Sequence, residues 1–494
     1  MKSSFFSLSI CILLGLTSGC EGFLDRRPLD QLTSETFYRT EEEVRRGILA
    51  AYTPMMDNEW NGKGWMITEI PSDNSQPGGL DPDFTPIDNF TVAADNGPVG
   101  NYWAIHYRQI ALANVVLDRV QEGVFTQDQL DLMLAEALFL RAVAYFDLVR
   151  VYGGVPLVTK APQFGDDLLP SRATVEEVYA LIREDLAFAA DHLPLEWGGG
   201  DQGRATKGAA LAYLSKVALT QRDFVPARDY AKAVMDLGVY RLMEDYADNF
   251  ELGISDNNAE AIFQIQFTGC ANFGTGNSLQ AFFAPWGEGI TKDRDGWGSQ
   301  IPTSPQLSNP GTTILDAFEE DDARKPATVM TANNYYPTIN AGDGGYTYPA
   351  AGASAAAANI KKYVVGSGPN ICFMSTPQNS HLMRYSDMLL TYAESILEIE
   401  GGVSVNPLAL DAFNQVRERA GLEPLLELTK EIMLQERRVE FAFEGHRWFD
   451  LVRSGRAVEI LSLHGKNPDF HNLLFPIPLG EMEINSKLTQ NPGY

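Results

Sequence analysis

Four tryptophans, Trp60, Trp65, Trp286 and Trp297, fall in stretches of a 494-residue chain where glycine, proline, asparagine and aspartate interrupt every helical pattern. An indole packs well on the flat C–H face of a sugar ring, whose hydroxyls then need amide, guanidinium or carboxylate partners. Asn61, Asp73 and Asn74 stand close by in sequence, and Tyr336 lies in a third irregular, tyrosine-rich stretch. These residues are the candidate ligand contacts. The competing reading makes some of the tryptophans plugs of small cores beneath the loops. Trp103 and Trp448 sit inside helical patterns and are expected in the core.

Other chemistry is poorly represented. There is no phosphate-cradling glycine loop, no dinucleotide fingerprint after a strand and no Gly-x-Ser-x-Gly elbow. The 6 histidines are scattered without metalloprotease spacing, and His446 in "EGHRWFD" reads as a structural hydrogen-bonding residue. The acidic run "EEDDARK" at 319–325 lacks the spacing of a calcium loop and reads as a solvated turn. The 65 Asp and Glu residues are too many to single out the facing carboxyl pair that glycoside hydrolysis needs. No catalytic residue, metal or cofactor is assigned. A formal net charge of −27 repels phosphate backbones and argues against nucleic acid as a partner.

The elements that must position the loop aromatics are helical. "LMLAEALFLRAVAYFDLVRVYGGVPL" (132–157) is apolar on nearly every face, so the helix is expected to be buried by several neighbours, ending at Gly153–Gly154. The 174–194 stretch is amphipathic, with Thr174 and Glu177 as a capping box. Residues 205–238 read as two helices with a tight turn at Arg222–Asp223, and small Ala227 and Ala231 allow close approach. That pattern is like a tetratricopeptide repeat. Three more helices are expected over 382–402, 406–422 and 428–455. In the last, Glu436 falls on the apolar stripe, so it needs a cation, Arg417 or Arg419. The helical scaffold spans about 38–57, 101–240 and 380–455. Loop-rich, ligand-facing regions occupy about 58–100 and 268–370, with a few short strands near Ala261–Phe267.

At the amino terminus, Lys2 precedes the apolar run Phe5–Leu16, too short to span a bilayer, and then small residues. Residues 1–19 read as a signal peptide, removed before Cys20. "LTSGC" (16–20) resembles a bacterial lipobox, with Thr17 where a branched aliphatic is usual, so Cys20 is the expected lipidation site. Acyl chains on one residue give stable membrane anchoring. The chain has 4 cysteines, and Cys270 and Cys372 are expected as separate thiols.

Seven segments together carry a resemblance. They are "CEGFLDRRP", "EALFLRAVAYFDLVRVYGGVPL", "GRATKGAALAYLSKVAL", "LMRYSDMLLTYAESILE", "FNQVRERAGL", "ERRVEFAFEGHRWFDLVRSG" and "FPIPLGEMEINSKLTQNPGY". In this order they resemble the SusD/RagB family of Bacteroidetes outer-membrane lipoproteins, from Cys20 to Tyr494. "DGWGSQIPTSPQL", followed by Asp322 and Arg324, resembles a further family segment. The resemblance implies a mostly α fold, a tetratricopeptide-like helical-repeat scaffold with an irregular loop-rich subdomain containing a few short strands. It implies a lipid-anchored outer-membrane protein facing the cell exterior, which captures oligosaccharides and delivers them to a SusC-like TonB-dependent transporter for import. It implies a binding protein and not an enzyme. Family ligand sites differ between members, so no binding residue is carried over beyond Cys20. The rival readings are a helical glycoside hydrolase, or a peptide-binding or scaffold lipoprotein of a nutrient-uptake complex.

Overall fold

The computed structural model describes residues 38–77, 82–120, 124–163, 165, 167–271, 275–285, 290, 313–350 and 358–494. The signal-peptide and lipidation expectations at residues 1–20 lie outside the described residues.

Helices of seven or more residues are numbered here in chain order. They are α1 (Glu41–Met56), α2 (Gly62–Glu69), α3 (Gly97–Arg119), α4 (Gln127–Tyr152), α5 (Val175–His192), α6 (Lys207–Thr220) and α7 (Phe224–Asp236). After a strand-bearing region come α8 (Tyr385–Ile399), α9 (Pro407–Arg419), α10 (Lys430–Glu440), α11 (Arg447–Arg453) and α12 (Ala457–Leu463). Each long helix packs on the next: α3 on α4, α4 on α5, α5 on α6, α6 on α7, then α7 on α8 and α8 on α9. This is the stacked helix-pair scaffold that the patterning predicts.

The start and stop signals operate as expected. The Thr174 hydroxyl accepts from Glu177 N, and the Glu177 carboxylate accepts from Thr174 N at 2.7 Å, closing the capping box of α5. Helix α4 ends at Gly153, whose φ of 74° a side chain would resist. Arg222 takes φ 61° in the turn between α6 and α7, and Ala227 and Ala231 are fully buried there.

Strands are short and antiparallel in pairs. β1 (Ala261–Ile265) pairs with β6 (Ser380–Arg384), and β2 (Val329–Thr331) pairs with β5 (Ala358–Ile360). β3 (Tyr335–Tyr336) pairs with β4 (Tyr346–Thr347), and β7 (Val403–Ser404) pairs with β8 (Leu428–Thr429). One continuous core runs beneath the helices and the strand-bearing region.

Four expectations need correction. The helix expected from Leu382 starts at Tyr385, because Leu382–Arg384 pair with β1 as part of β6. The single helix expected over 428–455 is broken. α10 stops at Glu440, and Phe443 (φ 65°) and Gly445 (φ 74°) reverse the chain before α11. The break lets Glu440 and Glu444 both reach Arg384, and it exposes the Phe443 carbonyl to the Trp65 indole at 2.7 Å.

The acidic run is the third correction. Glu319, Glu320 and Asp321 are exposed, but Asp322 and Arg324 are buried. Arg324 donates to Asp322 at 2.8 and 2.9 Å and to Glu436 at 2.5 Å. Glu436 therefore has two cations, the expected Arg417 at 3.2 Å and Arg324 as well. Arg419 instead pairs with Glu260 and Glu440.

Fourth, Cys270 and Cys372, which are 102 residues apart, form a disulfide with a Cα–Cα distance of 5.8 Å. Their segments run side by side beyond the β1–β6 pair: Cys270 N donates to Asn370 O, and Asn277 N donates to Thr376 O. That pairing joins residues no local pattern connects.

Candidate functional site

Residues Trp60, Asn61 and Trp65 come together, just before and within α2, on the wall of a cavity of about 110 Å³. The opposite walls come from Phe146 and Asp147 on α4, Lys216 on α6, and the 443–446 turn. Trp60 stacks on His106 with ring centroids 5.6 Å apart, and its Nε1 has no acceptor among the described residues. Trp65 meets Phe283 edge-on at 4.4 Å. Asn61 Nδ2 donates to Asn277 Oδ1 at 3.0 Å. Both indoles are less than a tenth exposed, so they are largely core residues whose remaining surface lines the cavity.

The cavity's charged groups are all paired. Lys216 Nζ donates to Asp387 at 2.5 Å and to His446 Nδ1 at 3.0 Å. Burial pushes the Lys216 ammonium down to about 8, with Asp387 opposing that shift. Burial and the Lys216 charge push His446 down to about 3, so its imidazole is neutral and Nδ1 can accept. His446 thus has the hydrogen-bonding role expected of it. Burial raises the Asp147 carboxyl, but the His106 hydrogen bond at 3.2 Å and Arg150 outweigh it and hold the group below its usual range. Glu444 is held at about 2 by Arg384 and Lys362, against burial. Small-molecule clefts are generally about 300–1,000 Å³. A cavity this size takes on the order of a few waters or one small polar group, not an oligosaccharide.

The other predicted contacts are placed elsewhere. Asp73 is 1% exposed and accepts from Arg447 at 2.7 and 2.9 Å and from Arg438 at 3.1 Å. Asn74 accepts from Arg438 Nε at 2.9 Å and donates to Glu69 at 3.2 Å. Both residues join the amino-terminal loop region to α10 and α11, and their polar atoms are taken up in doing so. Tyr336 is buried in the β3–β4 hairpin, its hydroxyl accepting from Thr331 N at 2.8 Å and donating to Val329 O at 3.1 Å. Trp286 and Trp297 lie outside the described residues. Among the described residues, no group of three or more His, Cys, Asp or Glu is placed to hold a metal ion, and no helix is long and apolar enough to cross a membrane.

Sequence reasoning missed Trp197. It stands on the rim of a larger groove of about 380 Å³, in "EWGGGDQGR" between α5 and α6. The signal was there: a tryptophan beside a glycine run, the same composition that marked the longer loops. The shortness of the segment hid it.

Stacked helix pairs that carry an irregular, strand-poor region define a helical-repeat scaffold with a loop-rich surface. Two family profiles match this chain, one described as "Starch-binding associating with outer membrane" over residues 22–219 and one as "SusD family" over residues 259–494. A SusD-like protein of Bacteroides ovatus is 30% identical over 92% of this chain and 82% of its own length. Among solved structures, a laminarin-binding SusD-like protein superposes with a TM-score of 0.77 at 27% identity, covering 92% of this chain and 100% of its own. Another, crystallised with a xylogluco-oligosaccharide, gives a TM-score of 0.75 at 26% identity over 89% of this chain and 97% of its own. The chain belongs to the SusD family.

Proposed function

We propose that the protein is a cell-surface glycan-binding lipoprotein that captures oligosaccharides and passes them to a SusC-like TonB-dependent transporter in the outer membrane. Cys20 carries the lipid after removal of residues 1–19, and the folded body faces the exterior. The observation that carries this reading is the match of nearly the whole chain to a laminarin-binding relative of the same fold. The state of the carboxylates supports binding over hydrolysis. Asp147 and Glu444 at the cavity are ion-paired and held ionised, and neither can act as the neutral general acid that glycoside cleavage requires. Burial raises the Glu69 carboxyl to about 7, but it is fully buried and lines neither cavity nor groove.

The glycan contacts proposed are Trp286 and Trp297; Trp60, Asn61 and Trp65 line a cavity too small for an oligosaccharide. Asp73, Asn74 and Tyr336 are left out because their polar atoms are engaged in the scaffold. Calorimetry against laminarin, xyloglucan oligosaccharides and starch tests the reading. At least one glycan is expected to bind without release of new reducing ends, and Trp297→Ala is expected to weaken it about tenfold. Failure of every glycan, or steady release of reducing ends, would overturn it. Trp65→Ala is a poor probe, since truncating so buried a ring costs about 3–5 kcal/mol of stability. Cys20→Ala is expected to move the protein from the detergent phase to the aqueous phase; unchanged partition removes the anchor.

A further inference from the structure

The groove of about 380 Å³ lies between the 195–206 connection and the 239–259 segment that leads into β1. It falls within the general size range of small-molecule clefts, about 300–1,000 Å³. Its aromatic wall is fixed in place. Trp197 Nε1 donates to Ala205 O at 2.7 Å, and the Arg204 guanidinium lies 3.8 Å from the ring centroid. Arg204 is itself held by Glu136 at 2.9 Å and by Asp201 at 3.1 Å. The indole therefore loses little freedom when something packs on it.

The connection is seated tightly against the far wall. Gly203 has φ +89°, and a Cβ there would come within 2.2 Å of Gln266. Gln266 in turn exchanges two amide hydrogen bonds with Asn257, at 2.9 and 3.0 Å. On the rim, the side chains of Glu196, Gln202 and Arg241 are exposed and make no hydrogen bond or ion pair among the described residues. They supply an acceptor, an amide and a cation around a rigid indole, with the Tyr240 ring beside them.

We propose that this groove is a second carbohydrate-binding site, in which a sugar ring packs on Trp197 and its hydroxyls bond to Glu196, Gln202 and Arg241. The choice of ligand class rests on the glycan reading above. A bound peptide strand draws its specificity from pockets for alternate side chains, whereas the aliphatic and aromatic side chains Ile262 and Phe263 are buried beneath this groove. A glycan chain long enough to reach two sites on one molecule gains affinity by effective concentration.

Hydrogen–deuterium exchange on the full-length protein in detergent, with laminarin, xyloglucan oligosaccharides or starch added, tests the site. A glycan that binds is expected to slow exchange in residues 195–206 and 239–259. Trp197→Ala should abolish that protection and weaken the site about tenfold. Arg241→Ala, which removes an exposed side chain without a hydrogen bond or ion pair among the described residues, should weaken it about threefold or more while leaving the melting temperature unchanged. If a glycan binds, the groove stays unprotected and both variants keep wild-type affinity, this proposal alone fails. If no glycan binds, the proposed function fails with it. Protection by a casein digest but by no glycan would overturn the proposal in favour of a peptide groove.

Discussion

Helix α4 buries Phe139, Leu140, Val143 and Phe146 at 1% exposure or less, whereas helix α10 buries Arg437 and Glu440 to the same depth. Around α4 the interior is mostly aliphatic and aromatic, with small charged groups such as Arg141–Asp185 at 2.8 Å and Asp147 with His106 and Arg150. Around α10, Arg324, Arg384, Arg417 and Arg419 interleave with Glu260, Glu436, Glu440 and Glu444. Apolar surface gains by burial against almost any apolar partner. A buried charge is tolerable only beside the segment that brings its counter-charge. The ion web therefore fixes which of several distant segments meet: 319–325, the β1–β6 pair, the end of α9, and the α10–α11 turn.

The sharpest way to break this comparison is to remove one charge from the web and one apolar side chain from the stack. Arg384→Leu leaves Glu260, Glu440 and Glu444 short of their shared cation and is expected to cost about 4–5 kcal/mol in urea unfolding. Its cost should shrink as pH falls, because protonation neutralises the carboxylates left behind. Leu140→Ala is expected to cost about 3 kcal/mol. That cost is expected to stay constant with pH. A pH-independent loss at Arg384, or a pH-dependent one at Leu140, would show that the two halves are not held by different means.

Glu69 sharpens the comparison at a smaller scale, as a buried carboxylate outside the web. Burial raises it from 4.5 to about 7, although Asn74 and the Gly445 amide hydrogen-bond to it. The fold therefore prefers its protonated form. Its contribution to stability is full below pH 4.5 and is lost as pH rises through about 7. Glu69→Gln should be close to neutral at acid pH and stabilise by about 2 kcal/mol at pH 8, after allowing for one lost hydrogen bond. No gain at pH 8 would mean that Glu69 ionises freely in the fold.

The apolar half was the more legible of the two. Thr174–Glu177, Gly153 and Arg222–Asp223 act within a few residues, so spacing alone located the helix ends. The web depends on residues far apart in sequence. Arg324 lies 112 residues from Glu436, and from its neighbours it looked like part of a solvated acidic turn. The break at Phe443 has no proline to announce it; tertiary partners for Glu444 and the Phe443 carbonyl hold the backbone there. At the candidate site, Trp60, Asn61 and Trp65, grouped by composition, line one cavity. Composition does not tell how deep an indole sits, so it left Trp60 and Trp65 open between ligand contact and core plug, and the short 195–206 segment hid Trp197.

The bond between Cys270 and Cys372 has a consequence for how such a protein can change over generations. It closes a ring of about a hundred residues whose two ends are held 5.8 Å apart at the edge of the β1–β6 pair. Trp286 and Trp297 are inside that ring, and the stacked helices are outside it. With the neck fixed, doubling the enclosed length adds only about 0.6 kcal/mol of closure entropy. Between its neck and the buried Arg324 and Lys362 that tie it to Glu436, Glu440 and Glu444, the ring can lengthen or change while the frame that carries it keeps its geometry.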